Sequence, residues 1–245
     1  MSKGVTIYFM RHGETYLNRY NRMQGWADAP LTERGIHDVE RSALGLADVE
    51  FSGIYSSDLQ RAVQTAEIVK SYNNRTAGTM TIIKKPEFRE EFFGSFEGLE
   101  AEPIWDDMLD YVKAHYPEKN RFSTDAVRNE INAFHQMDPT HEAEDFQAFW
   151  SRVELGLIDV VTRHRETDQN ILVVSHGMTI RNMVHELIPE FSLGSFLDNG
   201  SVSIIRYQDG LYHLDAYNQT THFAIDDAVE ATRKNAKRMG ETLIH

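Results

Sequence analysis

Val5-Thr6-Ile7-Tyr8-Phe9-Met10-Arg11-His12-Gly13-Glu14-Thr15 decides the fold. Its first six residues are uncharged, apolar and rich in strand formers, which reads as a strand buried on both faces of a parallel sheet. Ile171 to Val174 is a second such run, and Ser175-His176-Gly177 follows it. Between the two, Phe51 to Tyr55 and Met80 to Ile83 read as further strands. Thr32 starts a helical pattern that runs to Asp48 with Ile36, Val39, Leu44 and Leu46 at helical intervals. Ser57 and Gln60 have capping-box spacing for a helix reaching Tyr72. A helix from about Met178 to Leu187 should stop near Pro189. Residues 201–207 and 211–217 alternate like strands around an Asp209-Gly210 turn, and Ile225 to Leu243 is helical in pattern. The alternation predicts an α/β fold, a three-layer sandwich with a mainly parallel central sheet. Residues 100–145 lack a strand pattern and read as a helical insertion, so residues 1–245 form one domain carrying a cap.

The composition fits that architecture. Of 245 residues, 41% are hydrophobic and 26% charged, as in ordinary globular proteins. There is no cysteine, which excludes disulfides, thiolate catalysis and cysteine-held metals. The 25 Lys and Arg against 38 Asp and Glu give a net charge of −13. That balance argues against nucleic acid and anionic lipid as partners. An anionic substrate would need a local cluster of positive charge. No leader pattern and no membrane-length apolar run is present, so the expected location is cytoplasmic. No heptad or apolar stripe announces an oligomer, and the oligomeric state is not readable.

Ligands of α/β sheets collect beyond the carboxyl ends of the strands. Three candidate strands end there in Arg11-His12-Gly13, in the segment leading to Arg61, and in Ser175-His176-Gly177. Each alone fits a surface loop, a helix cap or a solvated arginine. Together they place two imidazoles and two guanidinium groups at one rim. Imidazole is a nucleophile near neutral pH, and guanidinium forks match phosphoryl oxygens. A second, protonated imidazole would add a charged donor. Phosphoryl transfer also needs an acid for the leaving oxygen. Phe88-Arg89-Glu90-Glu91-Phe92-Phe93-Gly94-Ser95-Phe96-Glu97-Gly98 offers acids among aromatic residues, where desolvation raises a carboxyl pKa. A metallohydrolase built on His135, His141, Glu142, Glu144 and Asp145 is conceivable, although that cluster also reads as the solvated start of a helix running to His164.

The chain resembles the histidine phosphatase superfamily, which includes cofactor-dependent phosphoglycerate mutases and broad phosphatases. Five ordered motifs carry the resemblance: Arg11 to Thr15, Gly25 to Gly35, Ser56 to Ala66, Arg89 to Gly98 and Ser175 to Gly177. It covers most of residues 5–98 and 171–206, but not the insertion in detail. The resemblance implies His12 as the nucleophile that becomes phosphohistidine. It implies a phosphoryl pocket of Arg11, Arg61 and His176, and Glu90 as proton donor, with Glu91 as the alternative register. Asn18, Gly25 and the N–H of Gly177 are the implied substrate contacts. The family needs no metal, and no cofactor is expected; the partner is a small phosphorylated substrate.

Hydrolysis and mutase chemistry share the phosphohistidine. The mutases clamp their substrate with basic residues of the insertion, including an adjacent arginine pair. Here residues 100–145 hold 12 acidic and 4 basic residues, a balance of −8, with no adjacent arginines. Phe93 and Met178 stand where the mutases have tyrosine and asparagine. These departures point to a phosphatase with an apolar leaving-group pocket; the mutase is the alternative, and a non-catalytic phospho-ligand module a third reading. Trp105, Phe122 and Phe134 read first as local core and second as substrate walls.

Overall fold

The computed structural model describes residues 3–75, 80–116, 125–188, 190–191 and 195–220. Its strands are β1 (Val5–Arg11), β2 (Phe51–Ser56), β3 (Ile82–Lys84), β4 (Gln169–Ser175), β5 (Val202–Gln208) and β6 (Leu211–Gln219). Its helices are α1 (Tyr16–Arg19), α2 (Glu33–Gly45), α3 (Gln60–Tyr72), α4 (Ala101–His115), α5 (Ala126–Met137), α6 (Phe146–His164) and α7 (Gly177–Leu187). One sheet runs in the order β3-β2-β4-β1-β5-β6. The first four strands of that order are parallel, and β5 and β6 continue the sheet antiparallel. The fold is α/β with a mostly parallel sheet, as the sequence predicts.

Period-two alternation sorts the central strands between two cores. Ile7 and Phe9 of β1 and Ile171 and Val173 of β4 face α5, α6 and α7, meeting Ile131, Val153 and Ile180. Met10, Leu172 and Val174 face the other way, against Val39 and Ala43 of α2 and Ala62 and Ala66 of α3. Burying one such large side chain contributes about 1.5–3 kcal/mol, so both layers of helix are needed to cover these strands. In the insertion, α4 and α5 share a third cluster in which Met108 and Phe134 pack with Met23 and Phe93. Phe134 is core; Phe122 lies outside the described residues.

Local chemistry explains most boundaries. Thr32 caps α2 by accepting the Gly35 N–H at 2.9 Å. Asp209 and Gly210 both have positive φ, 54° and 81°, as the tightest right-twisted hairpin turn requires. Two expectations are corrected. The Ser57–Gln60 capping box does not form: Leu59 is the N-cap of α3, and the Gln60 N–H donates to Asp28 from a distant loop. A carboxyl group brought in by tertiary structure takes the Gln60 N–H, while the Ser57 hydroxyl accepts from Leu59. The strand placed at Met80 to Ile83 lies two residues later at its start, because Ile82 to Lys84 are the residues in register with Ile54 to Ser56. Pro189 and the tail from Ile225 to Leu243 are outside the described residues. Among the described residues no helix is long and apolar enough to cross a membrane.

Candidate active site

Register brings the site together. Arg11 pairs with Ser175 and Ser56 with Val174, so β1, β2 and β4 end level at one rim. His12 follows β1, and His176 is the N-cap of α7. Their rings lie 5.1 Å apart at 62°. Arg61 reaches them from the first turn of α3 and is completely buried.

The hydrogen bonds fix both tautomers. His12 Nδ1 lies 2.8 Å from the Gly13 carbonyl. A carbonyl only accepts, so Nδ1 carries the proton and Nε2 presents a lone pair. Arg61 Nε–H donates to that lone pair at 3.2 Å. Arg61 Nη2 donates to His176 Nδ1 at 3.0 Å, which leaves the His176 proton on Nε2. That N–H is buried and has no partner among the described residues, and neither has Arg11 Nε. Arg11 Nη1 donates to the Leu197 carbonyl. Two buried donors are thus left without partners among the described residues of this rim.

Arg61 spends its remaining donors on the Gly25 carbonyl at 2.6 Å, the Ala27 carbonyl at 2.9 Å and Asp28 at 3.1 Å. All five of its N–H groups have partners within the protein. It is a frame for the imidazoles before it is a ligand. Burial, and then the charges of Arg61 and Arg11, hold the pKa of His12 well below the usual histidine value. His176 is lowered in the same way, by burial first and Arg61 second. The expectation of a protonated second imidazole is thus corrected: His176 is a neutral donor, because a cation there would be desolvated beside two arginines.

Glu90 is buried and sits on the N-terminus of α7. Its Oε2 accepts the Met178 N–H at 3.0 Å, and its Oε1 accepts the Thr179 N–H and hydroxyl, each at 2.9 Å. The free N–H groups of a helix start favour a carboxyl there. The acid whose pKa is strongly raised is its neighbour Glu91, through burial first and the charge of Glu90 second. Both Glu91 oxygens are buried without partners among the described residues.

A cavity of about 1070 Å³ opens over this floor. Arg11, Asn18, Glu90 and Gly177 line it, while His12, Arg61 and His176 lie buried behind that lining and Glu91 does not reach it. Gly25 does not reach the cavity wall either. A Cβ there would lie 2.0 Å from the Glu91 carbonyl oxygen, so this position is a close backbone crossing. Trp105, Met108 and Phe196 form an apolar wall of the same cavity. Trp105 packs edge-on against both Phe134 and Phe196, which makes it core and wall together.

Several supporting residues escaped the sequence reading. Glu97 accepts the N–H groups of Gly25, Trp26, Ala27 and Phe93 at 2.9–3.1 Å, shaping the loop that feeds Arg61. It stands in a quoted motif, yet nothing local marks its four partners. Arg152 holds the backbone of Glu90 by donating to the carbonyls of Arg89 and Glu90 at 2.8 and 2.7 Å. Asn199 donates to the His12 carbonyl at 3.1 Å and to Asn18 at 3.3 Å. In the acidic cluster of the insertion, Asp145 caps α6 and Glu144 pairs with Arg152. Among the described residues no three His, Asp or Glu side chains gather to hold a metal ion.

A neutral imidazole, two buried donors without partners among the described residues and a buried carboxyl group come together at this rim. Residues 7–220 match the Histidine phosphatase superfamily (branch 1), and the chain belongs to that superfamily of phosphatases and mutases. It is similar to phosphoglycerate mutase-like protein 4 of Arabidopsis thaliana, with 26% identity covering 83% of this chain and 80% of that one. It is similar also to the metal-independent phosphoserine phosphatase of Arabidopsis thaliana, with 25% identity over 91% and 85%. Among solved structures, the phosphoglycerate mutase from Bacillus anthracis str. Sterne superposes with a TM-score of 0.81 at 32% identity, covering 94% of this chain and 98% of that one.

Proposed function

We propose that the protein hydrolyses phosphomonoesters through a phosphohistidine on His12. The supporting observation is a pair of buried donors without partners among the described residues, His176 Nε2–H and Arg11 Nε–H, on the residue whose ring lies 5.1 Å from that of His12 and on the residue just before it. A buried unsatisfied donor costs about 1–3 kcal/mol, and a phosphoryl oxygen relieves both at once. His12 Nε2 attacks phosphorus in line, and the bond to the leaving oxygen breaks. Glu90 gives that oxygen a proton, then takes one from the water that hydrolyses phospho-His12 and releases inorganic phosphate. Arg11, His176 and the N-terminus of α7 at Gly177 stabilise the equatorial oxygens. Arg61 Nε–H passes from the imidazole lone pair to a phosphoryl oxygen as the P–N bond forms.

Hydrolysis is favoured over the mutase reaction by the apolar side chains of Trp105, Met108 and Phe196 on the cavity wall and by the acidic balance of residues 100–145. The metal-independent phosphoserine phosphatase relative supports the same reading. The test is a phosphorus NMR time course with a phosphoglycerate, a trace of the bisphosphate and phenyl phosphate. Growth of inorganic phosphate that is absent with His12→Ala is expected. Interconversion of phosphoglycerates without phosphate release would establish the mutase instead, and near-normal turnover by His12→Ala would refute the mechanism.

A further inference from the structure

Arg152 stands in the second turn of α6 and is not among the residues that line the cavity. Its five N–H groups are all used within the protein. Nη1 donates to the carbonyls of Glu87 and Arg89 at 3.1 and 2.8 Å, and Nη2 donates to the Glu90 carbonyl at 2.7 Å. Nε and Nη2 together hold the Glu144 carboxylate at 2.7 and 2.6 Å. Glu144 in turn accepts the Phe92 N–H at 3.0 Å, and its own N–H donates to the Phe92 carbonyl at 2.9 Å. The Trp26 indole N–H gives the Glu90 carbonyl its second donor at 2.9 Å.

The backbone of residues 87–92 is thus gripped on both sides of Glu90 by one ion pair whose side chains are only 17% and 12% exposed. Taking two charges this far out of water is repaid only by close geometry and filled hydrogen bonds, and both are present. The Glu90 carboxyl is fixed independently, by the Met178 and Thr179 N–H groups of α7. One end of the residue is therefore tied to α6 and the other to α7. A misplacement of about 1 Å at a reacting group costs on the order of 10²-fold in rate, so the tie to α6 bears on where the acid meets the leaving oxygen.

We infer that Arg152, held by Glu144, is a positioning residue for proton transfer by Glu90, and that it governs turnover of esters whose alcohols leave poorly. The inference rests on the phosphatase reading with Glu90 as proton donor. As the bond from phosphorus to the leaving oxygen breaks, the proton passes from the Glu90 carboxyl to that oxygen. A nitrophenolate departs well without the proton, and a benzyl alkoxide does not. Loss of the clamp therefore acts on the second far more than on the first, whereas a loss of fold acts on both alike.

The test measures kcat/KM for benzyl and 4-nitrophenyl phosphate, two esters of similar size. This constant covers the steps through departure of the leaving group, so hydrolysis of phospho-His12 does not enter it. Arg152→Met should lower the benzyl to 4-nitrophenyl ratio by about 10- to 100-fold, part of what a general acid supplies. Arg152→Lys keeps a cation against misfolding and should lower the ratio in the same direction. Glu90→Gln should lower it at least as far, and adding either Arg152 substitution to Glu90→Gln should lower it no further, since the residue acts through the acid. A ratio unchanged in both Arg152 variants, or lowered equally with and without Glu90, would overturn the clamp while leaving the acid in place. A wild-type ratio in Glu90→Gln would instead remove the acid assignment, and the inference with it. Hydrolysis itself is judged separately, by phosphate release from 4-nitrophenyl phosphate and its loss in His12→Ala; without that release the phosphatase reading and this inference both fall.

Discussion

Replacing Glu91 by Met should stabilise the protein, and by more at pH 7 than at pH 5. Glu91 is fully buried, and neither carboxyl oxygen has a partner among the described residues. Leaving a buried polar group unsatisfied costs about 1–3 kcal/mol. Methionine fills a comparable volume with adaptable apolar atoms. In a domain of this size that gain moves the melting temperature up by about 2–12 °C. The pH dependence follows from the raised pKa, caused by burial first and the charge of Glu90 second. A folded-state pKa above the unfolded one contributes stability that is complete below about pH 4.3, the unfolded value. It is lost as pH rises toward the elevated folded value, by about 1.4 kcal/mol per pH unit. The variant has no such proton to lose. The buried histidines titrate alike in both proteins, so the difference between them isolates Glu91. Urea unfolding of both proteins at pH 5, 6 and 7 measures the gap. A wild type as stable as the variant at pH 7, or a gap that does not widen with pH, would refute the reasoning.

Two further predictions concern the imidazoles. Arg61→Lys keeps the charge but leaves at least two of five buried bonds unmade. We expect a loss of about 2–6 kcal/mol by chemical unfolding and a fall in kcat of about 10²- to 10³-fold in a phosphate-release assay. A variant with near-normal kcat would show that the frame is dispensable. Because burial, Arg61 and Arg11 all lower the pKa of His12, the nucleophile stays neutral as pH falls through 6.5. The acid limb of kcat should lie below that pH and move up in Arg11→Gln; a wild-type limb at or above pH 6.5 would contradict it.

The sheet was legible because Ile7, Phe9, Ile171 and Val173 alternate with Met10, Leu172 and Val174, a pattern that only a strand covered on both faces uses well. His12, Arg11, Arg61, His176 and Glu90 converge because their strands and helices begin or end at one rim. What stayed hidden depends on distant partners. A motif glycine can serve a ligand or a crowded backbone, and only the fold shows Gly25 against the Glu91 carbonyl. Asp28 reads as a loop acid, yet it takes the N-terminus of α3 from Ser57. Nothing in the sequence marks Arg181, which meets Glu130 of α5 only in the fold. The neutral state of His176 follows from burial, which sequence spacing does not report.

The saturation of Arg61 ties reactivity to completion of the fold. One guanidinium gathers the loop carrying Gly25 to Asp28, the segment after β1 and the start of α7 onto α3. Until all of them dock, the orienting bond to His12 Nε2 and the enclosure that keeps its ring neutral are both incomplete. The bonds that close this part of the structure are therefore the same ones that orient the His12 ring.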